Sequence, residues 1–283
     1  MRLCLTFARL SSTDPDLSHV RSLLFAPGDD ERKLTRALAS EADGVVADLE
    51  DAVAPAEKNG ARETVARVRP RIVRVNGADT PWFADDLALA GELSLDAIVL
   101  PKATPEAAAA LGPKGPSVIA IVETAQGLRL AYETAFSPRV VALILGAVDL
   151  GAELGLEPRP DGLEILHARS KVVVDSGAAG IRPPFDVVHL DVDDDAGLEE
   201  ESRFARSLGF RGKACIHPRQ VPIVNRVFAP SEREVAWARR VVEAYEQGIG
   251  EGRGVLALNG SMVDLPVVER ARRVLAEAER SGA

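Results

Sequence analysis

Eight short apolar runs, rich in β-branched residues, recur along the chain with segments of helical character between them. The runs are Ser22–Ala26, Gly44–Asp48, Arg71–Val75, Ala97–Leu100, Val118–Val122, Val140–Leu145, Asp186–Leu190 and Lys213–Ile216. Most are apolar throughout rather than alternating, which is typical of parallel strands covered on both faces. The order of runs and spacers predicts a series of parallel βα units.

The number of runs predicts an α/β fold of the (β/α)8 TIM barrel type, which takes about 250 residues. The spacers with helical character are Asp30–Ser40, Pro55–Arg69, Pro105–Leu111, Gly162–Gly177 and Ala196–Leu208. An open, doubly wound sheet is the alternative. No Gly-x-Gly-x-x-Gly turn follows the first run, which weakens a dinucleotide-binding version of that sheet.

The chain of 283 residues divides into three predicted parts. We interpret residues 1–20 as a loose N-terminal tail, 21–230 as the barrel, and 231–283 as a C-terminal helical arm and lid. Ser231 and Glu234 have the spacing of a capping box at the start of a helix.

A glycine-rich stretch follows the helix predicted over Ser231–Gln247, with glycines at 248, 250, 252 and 254. It predicts a hinge before a last charged helix that ends near Arg280. Composition alone leaves a flexible connector to a packed helix equally open.

Composition excludes several classes of partner. The chain has 43 acidic and 34 basic residues, a net charge of -9, which opposes binding to nucleic acid. Cys4 and Cys215 are the two cysteines, so neither a disulfide scaffold nor a cysteine zinc site is expected, and the predicted compartment is the cytoplasm. The longest apolar stretch, Val140–Val148, is far shorter than a membrane-spanning helix, so we expect no membrane partner.

Polar residues follow most of the predicted strands, and TIM-barrel active sites are assembled at the carboxyl ends of the strands. They include Asp48, Glu50, Asp51, Arg74, Asn76, Lys102, Glu123, Asp149, Asp191 and His217. Carboxylates crowded at one mouth repel one another unless a cation or protonation relieves them. Glu123 and Asp149 come from neighbouring strands and are candidate ligands of Mg2+, an ion that keeps several of its waters in proteins. The chain has only four histidines, which disfavours zinc.

Structural roles stay open for the carboxylates. Asp149 has the spacing of a helix N-cap for Leu150–Leu154, and Glu50 and Asp51 have that of caps for the helix after them. Glu123 is also placed to pair with a basic residue at a helix start.

The other strand-end residues have alternatives of the same kind. Arg74 is also placed to fill the barrel as an ion pair, and Lys102 to make a solvated salt bridge. We expect His217 to be a hydrogen-bonded strand-end residue and Cys215 a small core residue.

Eight segments, in order from about residue 21 to 275, resemble the citrate lyase β-subunit and malyl-CoA lyase family. These acyl-CoA carbon-carbon lyases belong to the wider pyruvate- and phosphoenolpyruvate-dependent barrel enzymes. The segments are Arg21–Gly28, Asp48–Val53, Val73–Asn76, Leu100–Lys102, Val122–Ala125, Gly146–Leu150, Gly212–Pro218 and Gly260–Pro266.

The resemblance implies a Mg2+-dependent lyase that cleaves a 3-hydroxyacyl-CoA thioester into an acyl-CoA and a 2-keto acid such as glyoxylate, pyruvate or oxaloacetate. By position it implies Glu123 and Asp149 as metal ligands, and Arg74 as the catalytic residue that binds the keto-acid carboxylate. Glu50 and Asp51 correspond to partners of the metal-bound waters, which orient the ligands.

The C-terminal part of the resemblance concerns Asp264, which lies in the family's lid motif. It implies that Asp264 is an acid or base on the thioester enolate, often from a neighbouring subunit, with the glycines before it as the hinge. By the same analogy we expect a homo-oligomer, with a trimer favoured. Lys102 is a candidate for contact with the CoA phosphates.

Val148 is a departure, because the family usually carries Glu before the metal-binding Asp. Ser261 also stands where a longer polar side chain is frequent. Asp149 is retained, so Mg2+ is still expected, while a citramalyl-, malyl- or 3-hydroxy-3-methylglutaryl-CoA type of substrate stays open. Two rivals also stay open: a β-subunit of a citrate lyase complex acting on a carrier-protein thioester, and a metal- and keto-acid-binding protein without turnover.

Overall fold

Eight parallel strands form a closed barrel in the computed structural model, which describes residues 17–250, 255–258 and 261–281. The strands are β1 (Ser22–Pro27), β2 (Gly44–Asp48), β3 (Ile72–Arg74), β4 (Ala97–Leu100), β5 (Ser117–Val122), β6 (Val140–Leu145), β7 (Phe185–Asp186) and β8 (Gly212–Cys215). Each strand pairs with the next, and β8 pairs with β1. The predicted (β/α)8 barrel is confirmed, and the open-sheet alternative is wrong.

Helices lie between successive strands and continue after the last one. They are α1 (Glu31–Leu38), α2 (Lys58–Val68), α3 (Phe83–Glu92), α4 (Pro105–Ala110), α5 (Ala125–Arg129), α6 (Ala131–Phe136), α7 (Ala147–Leu154), α8 (Leu166–Ala179), α9 (Asp195–Leu208), α10 (Gln220–Phe228), α11 (Glu232–Gly250) and α12 (Leu265–Ser281). Short 3-10 turns occur at Leu17–His19, Pro55–Glu57 and Leu163–Ile165.

Several helices begin where a side-chain oxygen accepts a hydrogen bond from the first turn. The capping residues are Asp30, Thr104, Thr124 and Asp194, with N···O distances of 2.9, 3.2, 2.9 and 2.9 Å. Each such cap stabilises a helix by about 1 kcal/mol. These polar residues therefore end the loops and fix where the helices start.

The barrel interior is filled by apolar side chains from every strand, including the fully buried Leu23, Val46 and Ile119. Burying one such side chain contributes about 1.5–3 kcal/mol. The strands are consequently held in register by packing as well as by their backbone hydrogen bonds.

The seventh strand is shorter than the predicted run Asp186–Leu190. Phe185 packs in the barrel interior, and only Phe185 and Asp186 pair with β8. Beyond them, the side-chain amide of Gln220 donates to the carbonyl of His189 at 2.8 Å. The predicted bounds are wrong because a side chain, not the sheet, holds this backbone after Asp186.

The chain forms two compact units, residues 1–226 and 227–283. In the second unit, α11 and α12 pack through a cluster that includes Val241 and Val268. Leu256–Leu258 (β9) and Ser261–Val263 (β10) form an antiparallel pair. The predicted three-part division stays a prediction.

Some terminal features of the sequence lie outside the described residues, namely 1–16 of the predicted tail and Gly252 and Gly254 of the predicted hinge. Gly248 and Gly250 belong to the last turns of α11. The capping box is present, since Glu234 N–H donates to Ser231 Oγ at 3.3 Å and Ser231 N–H to Glu234 Oε2 at 2.8 Å. None of the described helices combines the length and apolar character that crossing a membrane requires.

Candidate active site

A cavity of about 460 Å³ lies at the carboxyl ends of the strands. Asp51, Arg74, Glu123 and Asp149 all line it. A larger cavity of about 1150 Å³ shares Ala147, Val148, Val188 and Leu190 with it but is lined by none of these four charged residues. The structure thus brings four of the sequence-predicted site residues to the smaller cavity.

Arg74 ends β3 directly beside Asp48, its partner in the register with β2. Its guanidinium donates to both Asp48 oxygens, at 2.7 and 2.6 Å. Nη1 also lies 2.8 Å from Glu50 Oε2, and the ring of Phe25 lies 5.3 Å away. Burial opposes the charge, but the hydrogen bond and the charge of Asp48 outweigh it and raise the pKa of Arg74 above its ordinary value. The ion-pair alternative is therefore observed, and it fixes a permanent positive charge at the cavity.

Glu123 follows β5 and is 3% exposed. Its Oε1 accepts the backbone N–H of Lys102 at 2.6 Å. Burial raises the pKa of Glu123 to about 7; Asp149 and Asp51 add to the rise, while the Lys102 hydrogen bond and Arg74 oppose it. The partner of the Glu123 carboxylate is thus the backbone amide that follows β4, rather than a basic side chain at a helix start.

Glu50 follows β2 and is 6% exposed, with Lys102 Nζ 3.6 Å from its Oε1. Burial raises its pKa to about 8, against the opposing charge of Arg74, and three other carboxylates add to the rise. Asp51 is exposed and lies 3.5 Å from Arg74 Nη1. The 3-10 turn that follows has no side-chain cap, so neither acid acts as a helix cap there.

Asp149 lies in the first turn of α7, which begins at Ala147 with Gly146 at the N-cap position. The N-cap interpretation of Asp149 is therefore wrong. Its side chain is exposed and lines the cavity, and its charge acts on the buried Glu123. Two carboxylates from adjacent strand ends thus serve one cavity.

The remaining strand-end residues, His217 and Cys215, have structural roles. His217 Nδ1 accepts the backbone N–H of Arg219 at 3.2 Å, so it is a hydrogen-bonded residue of the turn after β8. Cys215 is fully buried, and burial raises the pKa of its thiol to about 12. Both agree with the roles expected from the sequence.

Asp264 belongs to the second unit, where it immediately precedes α12. Its Oδ1 accepts the backbone N–H of Val267 at 3.4 Å, and its carbonyl accepts that of Val268 at 3.1 Å. This is the geometry of an N-cap, in which one of the two carboxylate oxygens takes part. The catalytic role implied by the resemblance stays a prediction.

The donor set suits a hard divalent cation. Among the described residues, no three His, Cys, Asp or Glu side chains are grouped tightly enough to hold a metal by themselves. Glu123 and Asp149 offer carboxylate oxygens only, which matches an ion that takes one or two carboxylates and completes its shell with water and substrate. A Cβ at Gly146 would lie 2.9 Å from Glu123 Oε2, so this glycine leaves room beside that oxygen. The residues therefore fit Mg2+.

Sequence reasoning assigned no role to three supporting residues, although it placed one of them, Asp48, among the polar residues at the strand ends. Asp48 holds Arg74, and its strand-end position next to Arg74 was an available signal. Gly146 makes space for Glu123, as a glycine between a strand and a helix often does for a close approach. Buried Lys58 donates to the carbonyls of Leu49 and Glu50 at 2.6 and 2.8 Å, and nothing in its sequence position indicates this.

Comparison with known proteins supplies the family. A family model for the HpcH/HpaI aldolase/citrate lyase family matches residues 21–218. The citrate lyase subunit beta of Escherichia coli (strain K12) is 38% identical over 285 residues, covering 93% of this chain and 94% of that protein. The (3S)-malyl-CoA thioesterase of Cereibacter sphaeroides is 40% identical over 271 residues, covering 92% and 94%.

A solved structure agrees with these sequence relatives. Protein CitE from Mycobacterium tuberculosis, in complex with magnesium, acetoacetate and coenzyme A, is 38% identical, with a TM-score of 0.82. The match covers 93% of this chain and 98% of that chain. The family resemblance inferred from the motifs is confirmed, and so is the expected class of enzyme, because the family comprises aldolases and lyases. The chain belongs to the HpcH/HpaI aldolase/citrate lyase family.

Proposed function

We propose that the chain is a Mg2+-dependent lyase that cleaves a 3-hydroxyacyl-CoA thioester into an acyl-CoA and a 2-keto acid. The observation that carries the proposal is the single cavity shared by Arg74, Glu123 and Asp149. The complex of the M. tuberculosis relative with magnesium, acetoacetate and coenzyme A supports the choice of ion and of thioester.

Glu123 and Asp149 are the residues that would hold Mg2+. When bound, such an ion polarises oxygens of the substrate and neutralises charge that develops on them. Buried Glu50 and exposed Asp51 stand beside this pair and are placed to accept hydrogen bonds from water in the cavity. Burial raises the pKa of Glu123 and of Glu50, so negative charge on these acids is disfavoured, which supports a cation at this place.

Arg74 is the residue that would bind the keto-acid carboxylate. Its guanidinium is fixed by Asp48 and does not lose its proton, so it presents a planar donor at a constant position. Arg74 lines the same cavity as Glu123 and Asp149, so a carboxylate held there would share that cavity with them. Arg74 therefore orients the oxygen-bearing end of the substrate.

Bond cleavage requires two proton movements. The hydroxyl on C3 loses its proton as the C3–O bond becomes a carbonyl, and the C2–C3 electron pair passes into the thioester enolate. C2 then takes up a proton, which completes the acyl-CoA. We assign the acid or base function on the enolate to Asp264, and such a group contributes about 10²–10⁴ to the rate. Lys102, half exposed, is assigned to the CoA phosphates, and the active form is proposed as a homo-oligomer.

The test is a turnover assay on malyl-, citramalyl- and 3-hydroxy-3-methylglutaryl-CoA, with Mg2+ or with a chelator. The first two would release the 2-keto acids glyoxylate and pyruvate, whereas the third would release acetoacetate, a 3-keto acid. The keto acid and the free thiol are measured separately, because lyase activity releases a keto acid without a thiol, whereas thioester hydrolysis releases a thiol. We expect Mg2+-dependent keto-acid release that Arg74→Lys lowers strongly. Arg71→Lys is the matched control, since Arg71 is 67% exposed and pairs only with Asp96 in the described contacts.

The rival functions give different results in this assay when a carrier-protein thioester is added to the substrates. Thiol release alone would indicate a thioesterase, an activity carried by the C. sphaeroides relative. Cleavage of a carrier-protein thioester but of no free CoA thioester would indicate a citrate lyase β-subunit. Binding of Mg2+ and keto acid with no cleavage of either type would overturn the lyase proposal in favour of a binding protein.

A further inference from the structure

The cavity has a charged side and an apolar side. Its charged lining residues are Asp48, Asp51, Arg74, Glu123 and Asp149, which come from the ends of β2, β3, β5 and β6. The opposite part of the wall comes from β7, β8 and β1, which are consecutive in the closed barrel. There the described lining residues are apolar throughout.

We define the apolar arc as Phe25, Val188, Leu190 and Ile216 from this part of the wall, together with Val148, which precedes Asp149 in α7. Phe25 and Val188 are partly buried and pack against the apolar cluster that fills the barrel interior. Val148, Leu190 and Ile216 are 48, 64 and 39% exposed although they are large apolar side chains. Exposed apolar residues grouped at the edge of a pocket mark a surface that another apolar group covers.

The charge of the cavity decides which group fits against the arc. Four carboxylates and one guanidinium line it, so even a bound divalent cation leaves one net negative charge. Arg74 is the one cation among the described lining residues, and Asp48 and Glu50 already surround it. One substrate carboxylate can share Arg74 and the metal, but the arc itself carries no cation for a second carboxylate. The arginines that line the adjoining larger cavity, Arg159 and Arg169, are already paired with Asp161 and with Asp186 and Glu201. Burying an unpaired carboxylate against apolar side chains is strongly unfavourable.

We propose that the apolar arc faces the substituent on the hydroxyl-bearing carbon of the substrate and selects an alkyl group over a carboxylate-bearing one. This inference rests on the proposed function, and it deepens it by naming the substrate class. The chain would thus act on thioesters whose keto-acid product carries one carboxylate and a short alkyl chain. Leu190 and Ile216 are the specificity-determining residues.

The test compares three thioesters that differ only at that carbon, which bears hydrogen in malyl-CoA, methyl in citramalyl-CoA and carboxymethyl in citryl-CoA. We expect kcat/KM for the methyl compound to exceed that for the hydrogen compound by about tenfold, the effect of one carbon in an apolar pocket. It should exceed that for the carboxymethyl compound by at least about 100-fold. A carboxymethyl compound cleaved as well as the methyl compound would overturn the inference while leaving the lyase function intact.

Substitutions in the apolar arc test whether its residues determine the preference for a methyl over a carboxymethyl substituent. Leu190→Arg and Ile216→Arg supply the missing cation, and each should reduce the methyl-to-carboxymethyl ratio by about tenfold or more. Val174→Arg is the matched control, because Val174 is 66% exposed on α8 and lines neither cavity. An unchanged ratio in both arc variants would overturn the assignment.

Calorimetry separates a failure of the inference from a failure of the proposed function. If no thioester is cleaved, the lyase proposal fails, and binding of pyruvate, glyoxylate and freshly prepared oxaloacetate in the presence of Mg2+ still tests the arc. Tighter binding of pyruvate, with the preference weakened in Leu190→Arg but not in Val174→Arg, supports the inference. Equal or tighter binding of oxaloacetate, or binding of none of the three, overturns it.

Discussion

The backbone N–H of Lys102 donates to Glu123 Oε1 at 2.6 Å, so the residue after β4 holds the carboxylate that follows β5. Lys102 has a φ of 46°, in the left-handed region that non-glycine residues adopt at a cost of about 1–3 kcal/mol. When Glu123 is ionised, this hydrogen bond has a charged acceptor and contributes about 1.5–3 kcal/mol, which offsets the strain. The backbone of Lys102 therefore positions Glu123, whatever its ammonium group does.

A substitution can separate the role of the Lys102 backbone amide from that of its side-chain ammonium. Lys102→Met keeps the N–H, so we expect Mg2+ affinity to change by no more than about twofold, because the half-exposed ammonium is screened by solvent. If the ammonium contacts the CoA phosphates, KM for the thioester rises while kcat stays. Titration calorimetry with Mg2+ and steady-state kinetics measure the two effects. A large loss of Mg2+ affinity would show that the ammonium, rather than the amide, supports Glu123.

Gly146→Ala should displace Glu123. A Cβ at this position would lie 2.5 Å from Glu123 Cβ and 2.9 Å from its Oε2, which is too close for either atom to stay in place. We expect Mg2+ affinity to fall by about 10–100-fold, the usual effect of disturbing the support of a metal ligand. Gly151→Ala in the same helix α7 is the control, since its Cβ would meet nothing closer than 4.0 Å. Equal Mg2+ affinity in the two variants would contradict the role given to Gly146.

The strand ends could be predicted from the sequence because most apolar runs are followed within a few residues by a polar residue. Glu123 and Asp149 were found in this way, and the structure places both on one cavity. The pattern of residues within an apolar run was less informative about the exact bounds of the strand. Asp186 looked like the start of the seventh strand, whereas it ends β7 and its side chain is completely buried against Arg169 and Lys213.

The rest of the site depends on contacts that no local pattern shows. Lys58 begins α2, and its ammonium reaches back to the carbonyl of Glu50 in the loop after β2. The hydrogen bond from Lys102 uses a backbone group that every residue except proline has. The room at Gly146 depends on where Glu123 lies. Sequence reasoning therefore identified the charged groups, and the structure was needed to find the contacts that hold them in place.

The stability of the metal-free protein should fall as pH rises. The pKa of Glu123 is raised to about 7 and that of Glu50 to about 8, first by burial, above the ordinary value of 4.5. The folded state therefore binds more protons than the unfolded chain, so this stabilisation is full below about pH 4.5 and is lost as pH rises through about 7 to 8. The loss is on the order of 3 kcal/mol for Glu123.

Scanning calorimetry with a chelator, from about pH 6 to about pH 9, measures this change as a falling Tm. Glu123→Gln and Glu50→Gln should each flatten the slope, while Glu92→Gln, at an exposed position on α3, should not. Saturating Mg2+ should also flatten it, because a metal ligand is bound in its deprotonated form. A Tm that rises over the same range in the chelator would contradict the protonated state assigned to the two acids.

Asp264→Asn separates a catalytic role from a structural one. Asp264 caps α12 through its contact with the Val267 N–H, and asparagine caps as well as aspartate, so the Tm should stay unchanged. An amide cannot exchange a proton with the enolate, so kcat should fall by about 10²–10⁴. Asp264→Ala should show the same loss of kcat together with a loss of about 1 kcal/mol in stability. Ser231→Ala, which removes the cap of α11 in the same unit, should lower stability and leave kcat in place. If Asp264→Asn keeps full kcat, Asp264 is an N-cap alone, and the proton that completes the acyl-CoA comes from another group.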